Sequence, residues 1–267
     1  MNSEHTRYES LGRIATLTFD RPEIRNAITS PEMLEEVAAA IRHADADPEI
    51  GILIITGEGS AFSAGGNVKD MRAGVGLFEG TPDEISEKYR ASIQQIPRLM
   101  LATDVVTIAA VNGAAVGAGF DMALMCDIRI GSSDARFAHT FIDLGIIPGD
   151  GGAWFLPRVV GWQRAAELAF TARIVTADEA VEMGILLEVV ESDVLMDRVL
   201  VIAEQIAAKP PHSVRLTKRL LRHARSMELD GFLDISAALQ SVSHHTEDHR
   251  EAVEAFFEQR PGDFKGR

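Results

Sequence analysis

The sequence predicts an α/β core built on parallel strands and followed by a mostly helical C-terminal part. Two runs rich in β-branched residues predict the core: residues 14–19 (IATLTF) and 50–56 (IGILIIT), each followed by Gly or Pro. Between them lies an amphipathic helix, and strand, helix, strand at that spacing form a crossover unit, which makes parallel sheets covered by helices. From about Trp162 onward the apolar pattern is helical, with one short strand near 187–190.

Taken in order, Ser30-Pro31 supplies an N-cap and a first-turn proline ahead of MLEEVAAAIRHA. Residues 72–83 are glycine-rich and read as a mobile loop. The most apolar stretch, 105–126, approaches the length of a membrane span, but Asn112, Asp121 and several glycines break it. It reads as a buried strand, a turn and a buried helix. Later, Thr176 to Glu179 has the form of a capping box, and Pro210-Pro211 separates two helices. The boundary between the α/β core and the helical part falls near 195, giving 1–195 and 196–267.

Composition narrows the function. With 46% apolar and 25% charged residues, the 267-residue chain buries a large core and is neither disordered nor fibrous. Its 26 basic and 40 acidic residues leave a net charge of −14, which disfavours nucleic acid as a partner while allowing a local basic pocket. Cys126 is the single cysteine, so no internal disulfide is expected, and no Cys/His cluster suggests zinc. Residues 1–8 are polar and lack a basic-then-apolar leader. A cytoplasmic, reducing location is the expectation.

Several motifs are missing. There is no GxxxxGK[ST] and no GxSxG, and the start of a dinucleotide fingerprint at Gly117 and Gly119 lacks its third glycine. A serine peptidase is disfavoured because Ser63, near the first strand-to-helix junction, has no matching His/Asp pair. His245 and His249 stand at i, i+4 without a third ligand and read as a solvated helix face.

Two junctions are more informative. One strand runs through GEGSAFSAGG into Asn67-Val-Lys-Asp-Met71, and another runs through NGAAVGAG into Phe120-Asp-Met-Ala-Leu. Small residues before a helix start leave backbone N–H groups without intrahelical partners. The N–H groups of Gly66 and Ala118, converging on one oxygen, would form an oxyanion hole. The alternative is that the glycines serve close packing of strand on helix.

These residues, together with Arg21-Pro22, Asn26-Ala27-Ile28, residues 62–71 (FSAGGNVKDM), residues 109–113 (AAVNG), Cys126-Asp127, residues 145–152 (GIIPGDGG) and the C-terminal AFFEQR and Phe264-Lys265, resemble the crotonase family, the enoyl-CoA hydratase/isomerase superfamily. The resemblance covers nearly the whole chain. It implies a spiral of ββα units, with 196–267 as a helical trimerisation region and assembly as a homotrimer or dimer of trimers. It further implies an acyl-CoA thioester substrate, an enolate held by Gly66 and Ala118, and no separate cofactor, CoA arriving as part of the substrate. By position, Ala64, Asn67, Val68 and Lys69 would lie along the CoA, Arg25 and Ala27 near its nucleotide end, and Lys265 would approach from the C-terminal region of the same or a neighbouring subunit.

Two departures bear on the reaction. Hydratases of the family resemble one another in a pair of active-site glutamates, one for each proton moved. The first position is Asp121 here, and the second is Phe141, which cannot transfer a proton. Asp143 and Asp150 are the nearby replacements. Asp150, in the Pro148-Gly-Asp-Gly-Gly152 turn, is similar to an aspartate of the family's C–C bond hydrolases, but it is also a good cap residue between glycines. The expected catalytic set is Gly66, Ala118, Asp121 and Asp150. Single-base isomerisation or C–C hydrolysis stands beside hydration, and a catalytically silent CoA-binding homologue is the rival from another class. His139 reads as a hydrogen-bonded core histidine, Cys126 as a small hydrophobe, and Trp154 and Trp162 as helix anchors.

Overall fold

The computed structural model describes residues 3–267. In chain order the elements are β1 (Thr6–Leu11), β2 (Ile14–Phe19), α1 (Pro31–Ala46), β3 (Ile52–Gly57), β4 (Ala61–Ser63), α2 (Val68–Ala73), α3 (Pro82–Ala91), α4 (Gln95–Ala102), β5 (Val106–Val111), β6 (Ala114–Val116) and α5 (Ala118–Met125). They continue with β7 (Ile128–Ser132), β8 (Arg136–Ala138), α6 (Gly152–Val160), α7 (Trp162–Thr171), β9 (Val175–Thr176), α8 (Ala177–Glu182), β10 (Glu188–Val190), α9 (Leu195–Ala207), α10 (Pro211–His223), α11 (Leu229–His244) and α12 (Glu247–Glu258). Of the polar stretch 1–8, Met1 and Asn2 lie outside the described residues, and Thr6 to Tyr8 open β1.

Two sheets organise the core. The larger has the order β1-β2-β3-β5-β7-β10 and the smaller β4-β6-β8-β9. All pairings are parallel except β1 with β2 and β8 with β9. Each turn of chain, β3-β4-α2, then β5-β6-α5, then β7-β8-α6, gives one strand to each sheet and then a helix. That is the ββα spiral implied by the resemblance.

The central strands of the larger sheet, β3 and β5, are buried on both faces, which explains their unbroken apolar sequences. Because side chains alternate along a strand, Leu53, Ile55, Ala109 and Val111 join one core with α1, while Ile52, Ile54, Ile108, Ala110 and Ile130 join a second. That second core is roofed by Leu195, Val199, Ile202 and Ala203 of α9. The basic face of α10 then ties the next helix down. Arg215 donates to the carbonyls of Asp45, Asp47 and Ile50, and Arg222 to those of Leu101 and Ala102, so guanidinium groups satisfy carbonyls at the ends of α1 and α4. Lys218 pairs with Asp127 at 2.7 Å and donates to Val105 O at 2.6 Å.

Several expectations need correction. Residues 72–83 carry regular structure: α2 ends there, Gly76–Phe78 forms a 3-10 turn with Leu77 buried, and Lys88 Nζ donates to Gly76 O and Glu79 O. A complete capping box, Thr81 with Glu84, begins at the end of this stretch. Thr176 accepts from Glu179 N, but Glu179 pairs with Arg173, so the box expected there is half made. His245 and His249 do not share a helix, since the chain turns between α11 and α12; His249 Nε2 meets His244 Nδ1 at 3.1 Å. Trp162 is 81% exposed, so it does not anchor its helix by burial against the described residues.

Candidate active site

The first junction is clamped by the loop before α1. Asn26, fully buried, donates through Nδ2 to Glu58 O and Ala61 O and accepts from Arg21 N. Ser63 Oγ donates to Asn26 O at 2.7 Å and accepts from Gly65 N. Ala64 N donates to Arg25 O, Ile28 N to Gly65 O, and Asn67 N to Thr29 Oγ1. Arg25 and Asn26 both take left-handed backbone, with φ of 52° and 55°. Non-glycine residues adopt it only where surrounding bonds hold them, as this network does. The N–H groups of Ala64, Gly65 and Asn67 are therefore all paired, whereas the Gly66 N–H donates to nothing among the described residues.

The second junction lies directly against the first. A Cβ built on Gly65 would sit 2.3 Å from Val116 O and 2.9 Å from Ala118 N, and Gly65 has φ 77°, so only glycine lets the two turns meet. Ala118 is the first residue of α5, and its N–H has no partner in the helix or from a capping side chain. Gly66 and Ala118 both line one cavity of about 210 Å3, walled by Met71, Phe78, Tyr89, Ile93 and Ile146. Two unpaired N–H groups beside such a cavity can stabilise negative charge on an oxygen between them.

Three buried titratable groups meet at this cavity, one lining it and two behind it. Asp121, on α5, is 0% exposed, and Asp150 is 3% exposed; Asp150 lines the cavity and Asp121 lies behind it. Neither Asp121 oxygen has a well-aligned hydrogen-bond donor among the described residues. Burial pushes Asp121 up to about 7, while hydrogen bonding with Asp150 opposes the rise. Burial raises Asp150 well above the carboxylate range, and the neighbouring Asp121 charge raises it further. The pair thus gives up its first proton near neutral pH and keeps the second. Gly152 presses on Asp121, since a Cβ there would lie 2.1 Å from Oδ2. His139 is 2% exposed with Nε2 3.4 Å from Asp121 Oδ1, and burial pushes its imidazole down, so it is neutral.

Of the residues read from sequence, Ala64, Gly66, Val68, Ala118, Phe141, Asp143 and Asp150 line this cavity together. Asp143 is exposed in a 3-10 turn, Ile142–Leu144. Asn67 caps α2 by accepting from Lys69 N, and the Lys69 side chain is exposed at that helix start. Arg25 is exposed and Ala27 buried on the clamping loop, outside the cavity lining. Lys265 is not brought to this chain's cavity; its N–H bonds Asp248 and its Nζ bonds Asp263.

The packing reading of the glycines holds as well, because close approach and free N–H groups occur together. Ser63 is consumed by the clamp, and Cys126 is buried with its thiol pushed up to about 12, an inert hydrophobe. His139 departs from expectation, since Nε2 has no well-aligned partner. Tyr89 was not singled out in sequence: it lines the cavity and packs on Gly149, and Gln94 Nε2 fixes that turn by donating to Gly149 O at 2.8 Å. Nothing local signals this contact, as the partners come from α3 and the turn before α6.

Comparison with known proteins bears on this geometry. A family model described as "Enoyl-CoA hydratase/isomerase" matches residues 9–267. The chain is 35% identical over 253 residues to the short-chain-enoyl-CoA hydratase of Clostridium acetobutylicum, covering 94% of each. It is 34% identical over 257 residues to the 1,2-epoxyphenylacetyl-CoA isomerase of Escherichia coli, covering 95% and 95%. A solved enoyl-CoA hydratase from Bacillus anthracis superposes with a TM-score of 0.92 at 29% identity, over 99% of this chain and 100% of that one. Among the described residues no helix is long and apolar enough to cross a membrane.

Proposed function

Because the chain belongs to the enoyl-CoA hydratase/isomerase family, we propose that it is an acyl-CoA-processing enzyme that forms a thioester enolate, with Gly66 and Ala118 as the oxyanion donors and Asp150 as the proton carrier. The observation that carries this reading is the pair of unpaired N–H groups at adjoining junctions, on a cavity whose buried acid is Asp150. The thioester carbonyl oxygen accepts from both N–H groups. A substrate C–H bond breaks, its electron pair moves onto that oxygen through the enolate, and the proton goes to the Asp150 carboxylate. Asp121 makes this possible by holding the proton that Asp150 must give up beforehand.

Isomerisation is favoured over hydration at this site. Hydration needs one group to activate water and another to serve the α-carbon. The cavity offers Asp150 as its buried acid, with Phe141 where a second acid would be and Asp143 exposed at the edge. One carboxyl suffices to take a proton from one allylic carbon and return it to the other. Exposed Leu229, Leu233, Val242, Phe256 and Phe257 on α11 and α12 support self-association as a homotrimer or dimer of trimers, in which Lys265 serves a neighbour's CoA.

The test is α-proton exchange of butyryl-CoA in D2O, followed by NMR, since it reads enolate formation whatever the onward reaction. Exchange in the native protein with a loss of at least a hundredfold in Asp150→Asn supports the reading. Tight CoA-thioester binding without exchange or turnover would establish the silent homologue instead.

A further inference from the structure

We propose that His139 is a positioning residue of the acid pair: its imidazole, fixed between two aromatic rings, orients the Asp121 carboxylate behind Asp150 so that a proton passes between the two acids during turnover. This rests on the reading of Asp150 as proton carrier and assigns a role to a buried group that reading leaves idle.

The surroundings single out His139. Asp121 is fully buried, and no Lys, Arg or His lines the adjacent cavity. A buried carboxylate is costly, and protonated Asp150 can serve only one of its two oxygens, so a charge on Asp121 gains from a second neighbour that can give it a hydrogen bond. His139 Nε2, at 3.4 Å, is the basic group in reach. Phe120 and Phe141 flank the ring edge-on, with centroids at 6.4 Å and 4.9 Å, which limits its rotation. On the other side Gly152 leaves Asp121 no room to retreat. A slight closing of the 3.4 Å gap makes a full hydrogen bond, as catalytic contacts do when substrate arrives.

The titratable groups facing His139 are Asp121 from α5 and Asp150 from the turn before α6, with Tyr89 of α3 beyond Asp150 and Asp143 at the cavity edge. Buried as it is, the ring remains neutral and serves as an N–H donor. Its donation holds the Asp121 carboxylate in the orientation from which it takes the Asp150 proton, which frees the Asp150 carboxylate to accept from substrate. Phe141, unable to move a proton, thus contributes the wall that holds the histidine in register.

The test measures butyryl-CoA α-proton exchange against pH for His139→Ala, His139→Gln, His139→Leu and Asp150→Asn. His139→Ala and His139→Leu are expected to lower kcat about tenfold or more with KM within about twofold, and to move the acid limb of kcat/KM up by about one pH unit, because the charged acid loses its donor. His139→Gln keeps an N–H donor that does not titrate and is expected to restore most of the rate and the native limb. If His139→Ala fails to fold, Gln against Leu decides the matter. An unmoved acid limb in the Leu or Ala variant, or equal losses in Gln and Leu, overturns the proposal. If Asp150→Asn exchanges at the native rate, the functional reading itself falls; if Asp150→Asn is inactive while the His139 variants behave as native, only the role of His139 falls.

Discussion

Replacing Asp121 by Asn is expected to stabilise the fold, and increasingly so as pH rises. In the folded protein burial moves this carboxyl from an ordinary 3.8 to about 7. An acid raised on folding favours the folded state where it is protonated. That contribution is complete below about pH 4 and is lost as pH climbs through about 7. At 1.36 kcal/mol per unit, the shift costs the fold, relative to the unfolded chain, about 2 kcal/mol at pH 5 and about 4 kcal/mol at pH 8. A neutral amide of nearly the same shape removes that cost, and it lets Asp150 relax downward, which acts in the same direction. Any packing change made by the amide is independent of pH and cancels between the two conditions. Urea unfolding of native and variant protein at pH 5 and pH 8, at one protein concentration because self-association adds to apparent stability, should therefore show the variant's advantage growing by roughly 2 to 3 kcal/mol. An advantage equal at both pH values, or larger at pH 5, refutes the placement of a strained charge on the pair.

Other outcomes follow from the same contacts. Gly65→Ala should cost about 3 kcal/mol or more and abolish α-proton exchange, because its methyl would sit 2.3 Å from Val116 O at a φ of 77°; thermal unfolding near the native midpoint would refute this. Ser63→Ala should lower stability by about 1–3 kcal/mol, since Asn26 O and Gly65 N lose their buried partner, as chemical denaturation can read. Phe141→Glu should raise hydration of crotonyl-CoA about tenfold or more by restoring a second acid, measured as 3-hydroxybutyryl-CoA formed; unchanged hydration would show that the missing acid is not what limits it.

Much of this was legible in the sequence wherever a signal was local. The runs that became β2, β3 and β5, the Ser30 cap of α1, and both junctions with their small residues were readable, and the ββα spiral followed from the resemblance. The three-residue strands β4, β6 and β8 were not, because they are too short to show a period and exist only as rungs between neighbouring turns. The stretch 72–83 looked loose because glycines were counted, whereas what orders it is Lys88, reaching back from α3. In the site, sequence marked Asp121 and Asp150 as equals. Their order, one facing the cavity and one behind it, depends on Gly152 crowding Asp121 from the start of α6, 31 residues later in the chain, which no spacing encodes.

The roof supplied by α9 has a consequence for how the chain is made. Strands β3, β5 and β7 are complete by residue 132, yet the side of the sheet carrying Ile52, Ile54, Ile108, Ala110 and Ile130 waits for residues 195–207 to cover it. A nascent chain still on the ribosome thus displays a sticky isoleucine slab throughout the intervening synthesis. Proteins cut short before that helix are expected to aggregate or to be held by chaperones, however well their catalytic half is otherwise assembled.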